Sequence, residues 1–259
     1  MHLKITVLGS GTSSGVPTIG CACDVCHSPD PRDKRLRPSI LISLPGRNIV
    51  IDTTPDFRAQ VLRAGIDRLD AIVYTHGHAD HILGLDDVRP FNYHQKAAVP
   101  IYVSRPAFAI IERIFQYAFD GRARRTGIPR LDVNLIDETP FEVLGLTFQP
   151  IPLLHGDDTI FGFRFGDVAY LTDHSEIPPS SIDGLQGLDV LFLDALRHKP
   201  HPTHSTVQHS IETALSLQAR RTFFTHMSHD AGRHAVTEAT LPPGVFLAYD
   251  GLEIEVPAA

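Results

Sequence analysis

The sequence predicts an α+β fold in which two mixed β-sheets pack face to face with helices outside. Three observations lead there. Short apolar runs rich in Val, Ile, Leu and Phe recur along the 259 residues, each bounded by Gly, Pro, Asn or Asp. Their order is strand-rich, then mixed, then strand-rich with helices, and it runs twice over, which suits two sheets each with its own helical cover. No repeat, low-complexity tract or long linker interrupts it, so residues 1–259 read as a single domain.

Taken in order, Ile5-Thr6-Val7-Leu8 reads as a first strand, followed by the loop Gly9-Ser10-Gly11-Thr12-Ser13-Ser14-Gly15. The glycine spacing departs from the dinucleotide fingerprint and no helical pattern follows. The loop is therefore either a turn with positive φ at some glycines or a row of N–H groups facing an anion. Cys21-Ala22-Cys23-Asp24-Val25-Cys26-His27 and a Pro-rich connector come next. Ser39 to Leu44 and Asn48 to Asp52 form an expected hairpin turned by Pro45-Gly46-Arg47. Thr53-Thr54-Pro55-Asp56 offers cap chemistry for a helix through about Ala64. The strand Ala71-Ile72-Val73-Tyr74 delivers the chain to Thr75-His76-Gly77-His78-Ala79-Asp80-His81.

Beyond that stretch the pattern predicts a short helix beginning at Ile82, a loop over Arg89-Pro90-Phe91-Asn92 and a strand over Pro100–Val103. An amphipathic helix is expected from Ala107 to Phe119, with Ile110, Ile111, Ile114 and Phe115 on one face. The basic run at residues 121–125 is a solvated loop or a substrate-facing lid. Strands are expected at Val133–Ile136, Phe141–Val143, Leu146–Pro150, Ile160–Phe165, Val168–Leu171, Val190–Leu193 and Arg221–Thr225, with a helix over Val207–Leu217. Val245–Tyr249 and Leu252–Val256 read as a closing hairpin.

Composition narrows the function classes. Hydrophobic residues make up 42% and charged residues 20%, ordinary for a soluble protein. A net charge of −7 speaks against a generic nucleic-acid or anionic-membrane surface. No apolar run reaches membrane-span length, and Met1-His2-Leu3-Lys4 leads into strand-like alternation rather than a signal peptide. Three Cys between positions 21 and 26 cannot build a disulfide framework and suggest thiolates held for metal, which fits a cytoplasmic location. Fifteen His residues are an excess for this length.

The His-rich stretch points to metal. His76 and His78 can face one position, and Asp80 and His81 a second one nearby. More ligands are needed, and the candidates stand at the ends of other apolar runs: His155, Asp173 and His226. His-x-His-x-Asp-His at a strand end, followed by those residues, resembles the metallo-β-lactamase superfamily over residues 5–256. The resemblance implies an αββα sandwich with a hydrolytic metal site between its sheets. It implies one ion on His76, His78 and His155, a second on Asp80, His81 and His226, and Asp173 bridging them. Asp52 would support the ligands from behind. Two cations roughly 3.5–4 Å apart can clamp a phosphoryl oxygen and make bound water a nucleophile near neutral pH. Imidazole and carboxylate ligands suit Zn, Mn or Fe.

Cys21, Cys23 and Cys26 are either inert buried thiols or three ligands of a structural Zn. The fourth ligand is expected at His229, three residues past His226, with His27 as the rival. A Cys-x-Cys-x-x-Cys insertion after the first glycine loop resembles the phosphoribosyl cyclic phosphate phosphodiesterases, and it also occurs in the pyrroloquinoline-quinone B-type proteins. Leu85–Asn92, His201–Thr206 and Leu247–Gly251 are similar to the phosphodiesterase branch as well. That resemblance implies Asp80 and His204 as catalytic residues, His204 protonating the leaving group, with His198 and His201 as alternatives. The expected partner is a small cyclic phosphate or nucleotide-like phosphodiester. Membrane and nucleic acid are not expected partners, and a homodimer is left open. The rival readings are a tRNA-processing nuclease and a non-hydrolytic cofactor-biosynthesis protein.

Overall fold

Alternation along the strands decides the layering. In the Ser-Ile-Leu-Ile run, Ile40 and Ile42 project to one side and Leu41 to the other, and all three are buried. Each strand of this kind must therefore be covered on both faces. A computed structural model of the chain, describing residues 2–120 and 127–257, supplies those covers. The basic run at 121–125 lies outside the described residues.

The first sheet contains β1 (His2–Gly9), β2 (Ser39–Leu44), β3 (Arg47–Ile51), β4 (Ala71–Val73), β5 (Val99–Ser104) and β6 (Leu131–Ile136). The second contains β7 (Phe141–Val143), β8 (Leu146–His155), β9 (Asp158–Phe165), β10 (Val168–Leu171), β11 (Val190–Asp194), β12 (Arg221–Thr225) and β13 (Val245–Leu247). A last strand, β14 (Glu253–Pro257), returns to pair antiparallel with β1. The orders are β14-β1-β2-β3-β4-β5-β6 and β13-β12-β11-β10-β9-β8-β7. β3 to β6 run parallel, as do β10 to β13.

Between the sheets, Ile5, Ile40, Ile42, Ile49, Ile51 and Val73 meet Phe148, Phe163, Phe165, Tyr170 and Phe192. Outside the first sheet lie α1 (Phe57–Ala64), α2 (Ala79–Ile82), α3 (Arg89–Gln95), α4 (Arg105–Ile114) and α5 (Gln116–Phe119). There Leu41, Val50, Ile72 and Tyr74 pack on Phe57, Phe91 and Ile111. Three more helices follow: α6 (Pro179–Ile182), α7 (Val207–Leu217) and α8 (His234–Glu238). Leu191, Leu193 and Phe224 of the second sheet pack on Val207, Ala214 and Leu217 of α7. The result is an αββα sandwich, as expected. No helix among the described residues is long and apolar enough to cross a membrane.

Several local expectations are corrected. The closing hairpin does not form, because Val245–Leu247 pairs with β12 while Glu253–Pro257 pairs with β1, one strand in each sheet. Both segments alternate suitably for strands; the turn at Gly251 carries the chain between layers, where φ is +92°. Arg89–Asn92 is helical, since Pro90 sits in the first turn of α3, where its missing N–H costs nothing. The helix expected over Ala107–Phe119 is broken at Phe115, which has φ −105° and ψ 35°, and Ile114 is exposed. The short helix after the His-rich stretch begins at Ala79, so Asp80 and His81 belong to it. Asp56 precedes α1 without capping it; its carboxylate accepts from the Arg37 backbone and guanidinium. In the first glycine loop only Gly15 has positive φ.

One contact ties this scaffold to the His-rich segment. Gly84, just past α2, donates to Thr53 O, and a Cβ there would lie 2.0 Å from Thr54 O. Gly84→Ala is expected to cost about 1–3 kcal/mol by overpacking. It should appear as a lowered thermal midpoint at fixed metal concentration, and an unchanged midpoint would contradict the close approach.

Candidate metal centre

Parallel strands place their C-terminal ends together, and this chain ends them in metal-type residues. Ile51 is followed by Asp52, Val73 by Tyr74-Thr75-His76, Leu171 by Thr172-Asp173 and Thr225 by His226. His155 and Asp194 are the last residues of β8 and β11. All meet in the crevice at the carboxyl edge of the sandwich, where α/β sheets bind ligands. Asp52, Asp173 and His226 turn out of their strands in the left-handed region, at φ 66°, 60° and 56°. Non-glycine residues rarely adopt it, and such strain concentrates at functional sites.

The geometry gathers two groups of donors. His76, His78 and His155 form one, and Asp80, His81, Asp173 and His226 the other, each with donor atoms within 4.8 Å of one another. Asp173 Oδ2 stands 3.2 Å from His81 Nε2, 3.2 Å from His226 Nε2 and 3.8 Å from His76 Nε2, so it lies between the groups. Asp80 Oδ2 is 3.4 Å from His81 Nε2 and 3.6 Å from His226 Nε2. Donors around a tetrahedral ion with metal–nitrogen bonds of 2.0–2.1 Å stand about 3.4 Å apart. His76 Nε2 and His226 Nε2 are buried and have no hydrogen-bond partner. Buried polar atoms are normally satisfied, so each of these orphans fits a cation bound in its own donor group.

The far sides of three imidazoles, those of His81, His76 and His155, are held. Asp52, fully buried, accepts from Thr75 N at 2.9 Å and from Thr75 Oγ1 at 2.8 Å, and its Oδ2 lies 2.7 Å from His81 Nδ1. With Thr75 Oγ1 donating to Asp52, the His76 Nδ1–H, at 3.0 Å, donates to Thr75, which leaves Nε2 free for an ion. His155 Nδ1 donates to Thr203 O at 2.9 Å, with the same consequence.

Electrostatics point the same way. Burial pushes Asp52 up, the neighbouring His81 opposing it. Burial works against ionising Asp80 and Asp173 as well, yet the imidazoles of His81 and His226 hold both carboxyls below the usual range. Burial also disfavours a charged His81, but Asp173, Asp80 and Asp52 together raise it well above its ordinary value. The carboxylates thus demand positive charge in the crevice, and divalent cations would supply it.

A separate group consists of Cys21, Cys23, Cys26 and His229. His229 Nδ1 lies 3.1, 3.4 and 3.4 Å from the three sulfurs. The four donors suit a closed tetrahedral Zn site. The Cys26 N–H directed at Cys23 Sγ helps bring that thiol down to about 6, whereas burial pushes Cys26 up to about 11. His27 is exposed and outside the group. The two centres are mechanically joined, because Met227, next to His226, donates to Ser10 O and accepts from Thr12 N.

His204 lies beside both ligand groups, grouping with His155 and Asp173 on one side and with Asp194 and His226 on the other. It precedes the α7 cap, Thr206, by two residues rather than heading the helix. Its Nδ1 is 2.8 Å from Asp194 Oδ2. The His201 ring lies near it, with centroids 5.0 Å apart and planes tilted by 51°, and His198 is exposed. Asp194 and Thr75 are the residues that the sequence reading missed. Asp194 carried the signal used for its neighbours, a carboxylate closing the apolar run Val190–Leu193; Thr75 carried none.

The sequence family described as "Beta-lactamase superfamily domain" matches residues 47–227. A solved structure, a new diphosphatase from the PhnP family, superposes with TM-score 0.93 and 51% identity, covering 99% of this chain and 98% of that one. An octanoyltransferase of Porphyromonas gingivalis (strain ATCC BAA-308 / W83) is 40% identical over 97% of this chain and 51% of its own length. A ribonuclease Z of Bradyrhizobium sp. (strain ORS 278) is 29% identical over 52% of this chain and 46% of its own. The chain thus spans about half the length of these two relatives.

By donor count the protein should hold about three ions per chain. Elemental analysis should find one ion fewer in Cys23→Ser and two fewer in His78→Ala combined with Asp173→Ala. One ion per chain, indifferent to His78 and Asp173, would contradict a dinuclear centre. Asp52→Ala should weaken metal affinity about 10–100-fold in a chelator competition, because His81 loses its support.

Proposed function

The chain belongs to the metallo-β-lactamase superfamily and, within it, to the PhnP family, and from that premise we propose that it is a metal-dependent phosphodiesterase. Its substrates are small: a cyclic phosphate, or a nucleotide-like diester that includes the P–O–P linkage of a diphosphate. The 51%-identical diphosphatase supports the phosphoryl class. The observation that carries the reading is His204, paired with Asp194 at 2.8 Å and set against both donor groups.

Divalent cations held by His76, His78, His155, Asp80, His81, Asp173 and His226 would supply a water nucleophile active near neutral pH and charge stabilisation for the phosphoryl oxygens. The chain's own residues do the rest. Asp173, between the two groups, keeps both at a fixed spacing, and Asp80 serves as a ligand in place of any separate proton-transfer role. Asp52 and Thr75 fix the ring orientations of His81 and His76. Asp194 accepts from His204 Nδ1 and leaves Nε2 as the proton donor to the departing oxygen, general acid work suited to an imidazole.

A tRNA-processing nuclease is the rival from the ribonuclease Z relatives. The net charge of −7 weighs against a long phosphate-tracking surface. The complete donor set weighs against a non-hydrolytic protein.

Metal-replete protein should hydrolyse bis(p-nitrophenyl) phosphate and small cyclic phosphates. No turnover of any of them would overturn the reading. His204→Ala should lower kcat about 10²–10⁴-fold on esters with alkoxide leaving groups. The loss should be much smaller with p-nitrophenolate, which departs without a proton, and equal losses on both would argue that His204 acts in binding.

A further inference from the structure

Beside the His76-Gly77-His78 turn lies a cavity of about 330 Å³. Pro106, Ala107 and Ile110 of α4 form one wall, and Ile160 and Phe161 of β9 form the other. Gly77 is what brings α4 this close, since a Cβ on it would come within 2.7 Å of Ile110 Cδ1. Two carboxylates, Glu138 and Asp158, stand among the lining residues, both exposed. The volume and the mostly apolar wall with a few polar groups fit a small-molecule site.

Position gives the cavity its meaning. It is lined by His76 and His78 but not by His155, His204 or His226. Ring contacts run from His78 to His155 at 5.0 Å and from His155 to His204 at 4.8 Å, so His155 links the cavity-lining His78 to His204, which does not line the cavity. With His204 protonating the leaving oxygen, the leaving group occupies the His204 side. The cavity then faces the group that stays on phosphorus.

Resting on the phosphodiesterase reading, we infer that this cavity takes the retained group of the substrate, and that the group carries a nucleobase-like heteroaromatic ring. Pro106, Ile110, Ile160 and Phe161 suit the faces of a flat ring, while Glu138 and Asp158 accept only from donors, such as a ring N–H or an exocyclic amine. A second phosphate is disfavoured by the same carboxylates, and a bare sugar would leave the apolar walls uncovered.

Two measurements test this. In calorimetric titrations of the metal-replete protein, adenosine 5′-monophosphate should bind about tenfold more tightly than ribose 5-phosphate, a difference of the size seen for stacked bases. Equal affinity would overturn the inference, whether or not any ester is hydrolysed. Among esters sharing p-nitrophenolate as leaving group, the adenosine 5′-phosphodiester should exceed the methyl phosphodiester in kcat/KM about tenfold. Thr159→Trp, at an exposed position on the cavity lining, should bring that ratio within about threefold. Turnover of both esters at equal rates, or a ratio that survives Thr159→Trp, would sink the cavity assignment and leave the phosphodiesterase reading standing. Failure of both esters to react, with the nucleotide still bound more tightly, would refute the chemistry and keep the cavity.

Discussion

Four carboxylates, Asp52, Asp80, Asp173 and Asp194, are buried in one crevice, and the rest of the structure answers to that constraint; Asp194 accepts from Leu196 N and pairs with His204 Nδ1. Isolated ionised carboxylates are too costly to bury, so each needs a cation or donors close by. Asp52 is satisfied inside the protein by Thr75 and His81. Asp173 Oδ1 accepts from Thr172 Oγ1 at 2.6 Å, but Asp173 Oδ2 and Asp80 Oδ2 face imidazoles at 3.2 to 3.8 Å, and two of those imidazoles carry nitrogens with no hydrogen-bond partner. Acids and bases arranged this way around a common point are unsatisfactory as a core and well suited as ligands.

Strand ends provide the precision. Six separate strand ends bring Asp52, His76, His155, Asp173, Asp194 and His226 to one edge of the sandwich, each backed by a buried apolar layer. Three of them sit in left-handed backbone, at a cost of about 1–3 kcal/mol each. Metal binding of about 10–16 kcal/mol, as measured for structural zinc, is large enough to offset that strain. The cysteine group performs a different task. It fastens the loop after β1 to His229, and the Ser10–Met227–Thr12 contacts carry that anchor to His226.

The donors that the geometry gathers were more legible in the sequence than the chain path. Donors at the ends of apolar runs are a local signal, and His76, His78, Asp80, His81, His155, Asp173 and His226 all carry it. The pairing of Leu252–Val256 was not legible, because a strand that alternates equally well in either sheet says nothing about which edge is vacant. Phe115 ended its helix early for a tertiary reason, its side chain turning into the core under α4. Thr75 escaped notice because a threonine beside a histidine is unremarkable until Asp52 is placed 23 residues away in sequence and 2.8 Å away in space. The αββα arrangement itself followed from strand order, and membership of the superfamily from the motif.

Asp173, set between the two donor groups, is placed to join two ions in one centre, and a third ion would stand apart on cysteine. Anomalous diffraction from crystals grown with Zn, recorded on both sides of the Zn edge, tests it most directly. A peak is expected among His76, His78 and His155, a second among Asp80, His81 and His226, both in contact with Asp173, and a third among Cys21, Cys23, Cys26 and His229. A single peak in the crevice that Asp173 does not touch would contradict it.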